Sequence, residues 1–311
     1  MDLVATLRTK INTLPQGEYL LGLRAVLVHI ETSFSHLTRG QSQDDEQAFT
    51  DAIYRTNQAF EGSIKEAYRV LAGKNPEKKT PHQIEIYLNE NSVFKPRVLA
   101  QFTTYRTQWR NPSTHDYTLS FDESEAFLAI TSVSAFACVL IDQMAERVAF
   151  LQTSEDVKTQ QTEQPLPDDD ETATLAEIVV AYLALFNKIS LTLPIHTDSQ
   201  LYGSVQGFLL SIAPHFQVSS DAVLVQGRPE KADLLVTHND ETVLVGLKRS
   251  NTRGAVREGM RYLEHSMALA GIKHSVLYLY HPSTGNLQSY RRPFMDGFVN
   301  LLVPVEQQET E

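Results

Sequence analysis

One segment of the chain, residues 153–174, lacks everything from which a folded core is built. Its sequence, TSEDVKTQQTEQPLPDDDETAT, has no regular spacing of apolar residues and holds one basic side chain against seven acidic ones. Such a segment buries too little apolar surface to offset the entropy of ordering it, which is typical of a linker. The sequence therefore predicts two domains, residues 1–152 and residues 175–311, joined by an acidic linker.

The same segment explains most of the charge of the chain. The 311 residues have a formal net charge of −11, and residues 153–174 account for −6 of it. Residues 1–152 carry 15 basic against 18 acidic side chains, and residues 175–311 carry 11 against 13. The two predicted domains are thus almost neutral, so local basic patches that bind nucleic acid are compatible with the overall acidity.

The first domain is predicted to be an all-α helical bundle, because its apolar residues recur every three or four positions and no stretch alternates as a strand does. The predicted helices are residues 18–37 and 44–73, a short helix from Pro81, one from Ser92 to about Trp109, and one from Phe121 to about Leu151. Gly73 is expected to end the second helix, and Ser120 with Glu123 to cap the last.

Cysteine content and apolar runs bear on the compartment. The single cysteine, Cys138, can build neither a disulfide framework nor a zinc cluster. The N-terminus has no cationic stretch leading into an apolar one, and the longest apolar run, residues 126–141, is shorter than the roughly 20 residues that span a membrane. We therefore expect a soluble, cytoplasmic protein with no membrane contact.

The second domain has a different period. A helical stretch, residues 199–216, precedes three short runs that are rich in β-branched and aliphatic residues. These predicted strands are residues 222–226, 232–238 and 242–249. A helix at residues 253–271 and a fourth strand at residues 274–280 follow. The order helix, three strands, helix, strand predicts an α/β domain with an αβββαβ core.

The stretch RNPSTHDY in the helical domain, which begins at Arg110, carries the residue types of a catalytic site. Pro112 is expected to break the preceding helix and to leave a loop that brings Arg110 and His115 to a common point. A histidine titrates near neutral pH and can move protons, whereas a guanidinium suits the charge of a phosphate in its transition state. Asn111 adds a donor and an acceptor, and Tyr117 adds a hydroxyl or a stacking face. These groups suffice to cleave RNA without a metal, because RNA carries its own nucleophile, the 2′-hydroxyl.

The chain has another arginine and histidine at this spacing, Arg24 and His29, inside a helical stretch. Five residues of α-helix turn about 140° beyond a full circle, so those two side chains diverge. We interpret that pair as a coincidence of an amphipathic helix. At Arg110 an alternative also stays open, in which Arg110 pairs with Asp116 and His115 is a solvent-facing loop residue.

RNPSTHDY resembles the signature of the HEPN superfamily of ribonucleases, which is arginine, a polar residue that is usually asparagine, three residues and then histidine. The tyrosine two positions later matches the variant in HEPN toxins, where it can be modified by a partner nucleotidyltransferase; here that residue is Tyr117. The similarity covers roughly residues 45–150. It implies a metal-independent endoribonuclease that needs no cofactor and forms a homodimer in which two such sets face one another. It also implies that His115 is the general base or acid, that Arg110 stabilises the phosphate and that Asn111 is a positioning residue.

The α/β domain resembles the restriction-endonuclease-like, or PD-(D/E)xK, family, since ADLLVTH and VLVGLKR match its second and third core strands. Asp233 and Lys248 fit the first acid and the lysine of that family. The second acid should stand two residues before the lysine, where this chain has Gly246, so the site is degenerate. Cleavage there would need Mg²⁺ or Mn²⁺ on two carboxylates, with Asp233 as one and Glu258 or Glu264 as a replacement for the other. The alternative is that Asp233 and Lys248 form a mere salt bridge.

Arginines recur every four residues beside this site, at Arg249, Arg253, Arg257 and Arg261, and the last three share one face of the predicted helix. A solvated helix face usually mixes both signs of charge, so an unrelieved row indicates binding of DNA or RNA phosphates. The aromatic-flanked SYRRPF at residues 289–294 extends this surface or serves packing.

The sequence as a whole thus predicts a two-domain nuclease effector. The helical domain would cut RNA, and the α/β domain would bind or sense nucleic acid; the resemblance implies a toxin or an antiviral-defence protein that acts by abortive infection. Two alternatives are a metal-dependent DNA nuclease that acts through the α/β domain, with the bundle as its dimeriser, and a non-catalytic nucleic-acid-binding protein.

Overall fold

The structure, a computed structural model, describes most of the chain, and for Thr114 and His115 it describes the backbone alone. The described residues are 2–115, 120–160, 173–226, 228, 230–282 and 286–305. The chain divides into two compact units, residues 1–147 and residues 148–311. Within the described residues, the first unit is helical, as predicted, and the second contains a mixed six-stranded sheet with helices, which agrees with the predicted α/β class.

The helical unit is built from helices joined by short connections. They are α1 (Leu3–Asn12), α2 (Tyr19–Gln43), α3 (Glu46–Leu71), α4 (Pro81–Glu90), α5 (Pro96–Tyr105), a π-helical turn (Arg106–Arg110), α6 (Asn111–His115) and the start of the long α7 (Glu123–Gln160). Aromatic rings from α3, α5 and α7 form the centre of its core. The ring of Phe60 lies 4.8 Å from that of Tyr105 and 5.3 Å from that of Phe136, between ring centroids.

The beginning of α7 differs from the sequence prediction. The helix starts at Glu123 rather than at Phe121. Its capping box is formed by Asp122 and Glu125, not by Ser120 and Glu123. The Glu125 N–H donates to the Asp122 carboxylate at 2.8 Å, and the Asp122 N–H donates to the Glu125 carboxylate at 2.9 Å. Aspartate caps a helix as well as serine does, so the local signal was present two residues downstream.

The end of α7 lies beyond the predicted one, at Gln160, so residues 153–160 of the predicted linker are helical. Asp156 is buried and accepts hydrogen bonds from the backbone N–H and the hydroxyl of Thr192 at 2.9 and 2.7 Å. Packing within the second unit, to which these residues belong, therefore orders this part of the acidic segment, and the linker prediction is wrong for these eight residues. Residues 161–172 of the predicted linker lie outside the described residues.

The central helix α7 is long and apolar enough to pass a test for a membrane span, and half of its apolar stretch is buried within the structure. Phe136, Leu140 and Met144 have no exposed surface. Their burial is that of a core helix, as the sequence predicts.

The second unit follows the predicted order of helix, three strands, helix and strand, with additions. Its elements are α8 (Leu175–Phe186), α9 (Asp198–Ile212), β1 (Gln217–Val223), β2 (Lys231–His238), β3 (Glu241–Lys248), α10 (Arg253–Ala270), β4 (His274–Leu279), β5 (Leu287–Phe294) and β6 (Gly297–Pro304). The predicted strand at residues 222–226 is wrong, because β1 begins five residues earlier, and the hairpin of β5 and β6 was not predicted.

The sheet has the strand order β1-β2-β3-β4-β6-β5. Strands β3, β4 and β6 are parallel to one another, and the other neighbouring pairs are antiparallel. One face packs against α8 and α9, and the other packs against α10. Side chains alternate along a strand, so Val245 and Leu247 of β3 join the first core. Leu244 of the same strand joins the second core, and Gly246 and Lys248 share its side of the sheet.

Substitution of a glycine in α9 tests how closely this helix packs against the last turns of α7. A Cβ atom at Gly207 would lie 2.5 Å from the carbonyl oxygen of Phe150 in α7, whereas one at Gly254 of α10 would meet nothing within 4 Å. We expect Gly207→Ala to lower the free energy of unfolding by about 1–3 kcal/mol, since backbone must move. Gly254→Ala should raise it by up to about 1 kcal/mol through helix propensity. Urea denaturation of both variants checks this, and equal effects would contradict the close contact of α7 with α9.

Candidate functional site

Residues 110–115 of the predicted motif lie on a continuous helical path and not in a loop. The π-helical turn joins α5 to α6, with the Asn111 N–H donating to the Arg106 carbonyl. This wider turn directly precedes Pro112, which has no N–H to donate and whose ring would press on the carbonyl four residues earlier in a regular helix. The π-helical turn relieves that clash, so Pro112 does not end the helix, and the predicted loop is wrong for residues 110–115.

Continuity of the helix changes the geometry of the predicted site. His115 follows Arg110 by five residues, and five residues of α-helix turn about 140° beyond a full circle. The two residues of one chain therefore lie on different sides of the helix, as Arg24 and His29 do on α2. Tyr117, and Asp116 as the alternative partner of Arg110, lie outside the described residues.

The side chain of Arg110 is mostly buried, with 14% of its surface exposed, and it faces two carboxylates. Its guanidinium lies 4.0 Å from Glu61 of α3 and 3.9 Å from Glu85 of α4, and it donates to the side-chain oxygen of Asn111 at 3.2 Å. Burial raises the pKa of Glu85, and the charges of Arg110 and Arg106 oppose that rise. The arginine of the motif is thus oriented by acids that sequence reasoning did not identify, because they come from other helices.

A buried hydrogen-bond network holds the motif helix against α3. The Asn57 amide donates to the Ser113 hydroxyl at 2.7 Å, and Ser113 donates to the Trp109 carbonyl at 2.7 Å. The Tyr105 hydroxyl lies 2.9 Å from the Asn57 oxygen and 2.7 Å from the Thr56 hydroxyl. Ser113 is the third of the residues between Arg110 and His115 in the motif, so this position has a structural role.

The structure brings together two residues of the predicted endonuclease-like site. Asp233 of β2 and Lys248 of β3 line one groove of about 1170 Å³ beside α10. The Asp233 carboxylate accepts from the Leu247 N–H at 2.9 Å and from the Tyr202 hydroxyl at 3.2 Å. Burial raises the pKa of Asp233, although the Leu247 N–H and the charge of Lys248 counteract it. No ion pair joins Asp233 to Lys248, so the simple salt bridge is not formed.

Gly246, the position of the missing acid, is covered by apolar side chains. A Cβ atom there would lie 3.3 Å from methyl groups of Leu263 in α10 and Leu277 in β4. At Gly259 the approach of α10 to β4 is closer still, since a Cβ atom there would lie 2.9 Å from Leu277. At this point α10 packs closely against the side of β3 on which the resemblance places an acid, and leucine side chains cover it.

The two acids considered as replacements do not complete a metal site. Glu258 and Glu264 of α10 line the groove, but Glu264 lies 3.3 Å from the guanidinium of Arg292. Both oxygens of Asp233 already accept hydrogen bonds. Within the described residues no three acidic, histidine or cysteine side chains are grouped so that they could hold a metal ion. The residues present therefore do not fit Mg²⁺ or Mn²⁺, which takes several oxygen ligands.

The predicted arginine row is partly present. Arg253, Arg257 and Arg261 are exposed along α10. Among the described residues, none of the three forms an ion pair with an acidic side chain. Arg249 does not continue the row, because it precedes α10 and its guanidinium donates to Asp198 at 3.0 Å. Three cations four residues apart thus project from one helix next to the groove of Asp233.

Comparison of the chain with family models, with curated proteins and with solved structures finds no match. The HEPN and endonuclease-like interpretations therefore depend on the motif residues and on the geometry described above.

The closed environment of Gly246 leads to a direct test. We expect Gly246→Asp to lower the free energy of unfolding by about 2–4 kcal/mol, because it places a carboxylate among leucines. Gly246→Ala, which adds only a methyl group at the edge of contact, should cost much less. Chemical denaturation measures both. An aspartate variant of full stability that gains Mg²⁺-dependent cleavage would show that the position is open to a metal.

Proposed function

We propose that this protein acts on nucleic acid, which its α/β unit binds and which its helical unit cleaves as a metal-independent endoribonuclease. The observation that carries the proposal is the row of Arg253, Arg257 and Arg261 on α10. The chain has a net charge of −11, yet these three neighbouring side chains are exposed and have no acidic partners among the described residues. Such a group of cations favours binding of a polyanion. Like charges at this spacing repel one another in the free protein, and phosphates relieve that repulsion.

The cleavage step is assigned to the motif residues Arg110, Asn111, His115 and Tyr117. In RNA the 2′-oxygen attacks the neighbouring phosphorus as a base takes its proton, and the bond to the 5′-oxygen breaks as that oxygen receives a proton. A histidine suits the proton transfers, and a guanidinium stabilises the extra negative charge on the phosphate. No metal is needed for these steps.

The positions of Arg110 and His115 on different sides of the helix favour a site made by two copies of the chain. If the two side chains of one helix cannot reach one phosphate, the arginine of one copy can act with the histidine of the other. A twofold axis would create two such sites at once. We therefore propose a homodimer through the helical unit, and the toxin or antiviral-defence role that the resemblance implies belongs to this proposal. Modification of Tyr117 by a partner enzyme would then switch the activity.

The first alternative is a DNA nuclease that acts through Asp233 with Mg²⁺ or Mn²⁺. The leucine side chains that cover Gly246 disfavour it. The second alternative is a binding protein without catalysis, and the same leucine side chains favour it. Incubation with labelled RNA and DNA, with and without EDTA, separates all three. RNA cleavage that survives EDTA supports the proposal, DNA cleavage that EDTA stops supports the first alternative, and binding alone supports the second.

A mixing experiment tests the two-copy site. Arg110→Ala and His115→Ala homodimers should both be inactive on RNA. A heterodimer of the two variants, isolated through two different tags, should recover about half of the wild-type activity, because one of its two sites keeps both residues. Gel assays on labelled RNA measure the activity.

One control variant and two contrary outcomes complete the mixing experiment. His29→Ala alters the other arginine–histidine pair at the same spacing and should keep full activity. An inactive heterodimer would mean that each site is formed within one chain. Full activity of the His115→Ala homodimer would remove the motif from catalysis altogether.

The arginine row is tested by the salt dependence of binding. We expect the double variant Arg253→Ala with Arg257→Ala to reduce the log–log slope of affinity against salt concentration by about two units, roughly one for each lost phosphate contact. Arg249→Ala is the matched control, and its effect should be much smaller because Asp198 holds that guanidinium. An unchanged slope in the double variant would show that the row does not contact phosphates.

A further inference from the structure

A second groove lies on the other side of the arginine row, between α10 and the β5–β6 hairpin. Its volume is about 550 Å³, within the ~300–1,000 Å³ that small-ligand sites occupy. Arg257 and Arg261 line both this groove and the one that contains Asp233, so they form the ridge between the two. Five arginines and one acidic residue, Glu264, line the second groove. Neither the motif nor the endonuclease-like site uses it.

The floor of the second groove is apolar, and an exposed aromatic ring stands at its side. Val256 and Met260 of α10 and Leu301 of β6 line the groove. Tyr290 of β5 is paired with Leu301 across the hairpin and therefore shares its side of the sheet. The side chain of Tyr290 is 51% exposed, although a ring of this size is normally packed. An aromatic face next to an apolar floor suits a flat, partly apolar group.

The charges around the groove are not all equivalent. Arg291 donates a hydrogen bond to the Glu177 carboxylate at 2.8 Å, and its guanidinium carbon lies 4.1 Å from the centroid of the Phe298 ring. Arg292 is paired with Glu264 at 3.3 Å. The row of Arg253, Arg257 and Arg261 is what stays available to an incoming anion. A ligand of this groove therefore combines a flat ring with negative charges spaced along the length of a helix.

We propose that the second groove binds single-stranded nucleic acid, with a base stacked on Tyr290 and the adjoining phosphates on the arginine row. This inference rests on the nucleic-acid binding proposed above and names the form of nucleic acid. In a duplex the bases are stacked on one another inside, so a duplex can bring its phosphates to the arginines but cannot bring a base to Tyr290. Stacking on an exposed ring beside a cationic track is a general means of holding single strands without sequence preference.

The test compares single-stranded oligothymidylate with a DNA duplex of the same length, both labelled and bound to the full chain. Neither probe has a 2′-hydroxyl, so RNA cleavage does not disturb the measurement. We expect the single strand to bind more tightly, and Tyr290→Ala to weaken its binding by about tenfold or more. Tyr290→Phe, which keeps the ring, should bind as the wild type does, and duplex binding should be the same in all three proteins.

Two controls make the result specific. Tyr54→Ala removes an equally exposed tyrosine, 49% against 51%, from the helical unit and should leave the affinity unchanged. The salt dependence of Tyr290→Ala should keep the wild-type slope, since a ring releases no counterions. Thermal denaturation verifies that the variant is folded.

The contrary results separate this inference from the proposed function. Equal affinity for single strand and duplex, with no effect of Tyr290→Ala, would overturn the stacking site and leave nucleic-acid binding intact. Failure of both probes and of RNA to bind would overturn the proposed function as well. Displacement of the single strand by polyglutamate at equal charge would show that the groove takes any polyanion and would overturn the preference for bases.

Discussion

The hydrogen bonds among Asn57, Tyr105 and Ser113 determine how the motif is presented. All three side chains are buried, so each bond also removes a polar group that would otherwise be costly to bury. They fix the motif helix to α3 and keep it helical through Pro112, and that continuity turns Arg110 inward toward Glu61. The orientation of the predicted catalytic arginine is therefore a consequence of packing in the bundle core and not of a flexible loop.

The helical unit was predictable wherever the signal was local. Thr80 with Pro81 begins α4, and Gly73 follows α3 in a left-handed conformation, as expected. The helicity of the motif was not predictable, because the rule that proline ends a helix depends on residues i−4 to i alone. A π-helical turn and a bond from Asn57, 56 residues away, override that rule here. Long-range contacts of this kind leave no mark in the spacing of the sequence.

In the α/β unit the alternating strands β2 and β3 were predictable, and so was α10 up to Gly271. The prediction misplaced β1. The sequence of this strand, QVSSDAV, is polar, and the strand pairs with β2 on one side only, whereas the more apolar residues just after it do not form a strand. The hairpin of β5 and β6 was missed for a related reason, since β5 is almost entirely exposed. Glycine at position 246, where the resemblance places an acid, was visible in the sequence, but the close approach of α10 at Gly259 required the structure.

The exposed strand β5 has a consequence for solubility. It is an edge strand, and an unprotected edge is a template on which another sheet can add and aggregate. Here the edge carries Arg291, Arg292 and Pro293, which are two positive charges and a residue that cannot donate a backbone hydrogen bond. These features disfavour pairing with a second copy of the same edge. Tyr290, the proposed stacking site, lies on the same strand, so protection against self-association and ligand binding would then be selected within one short segment.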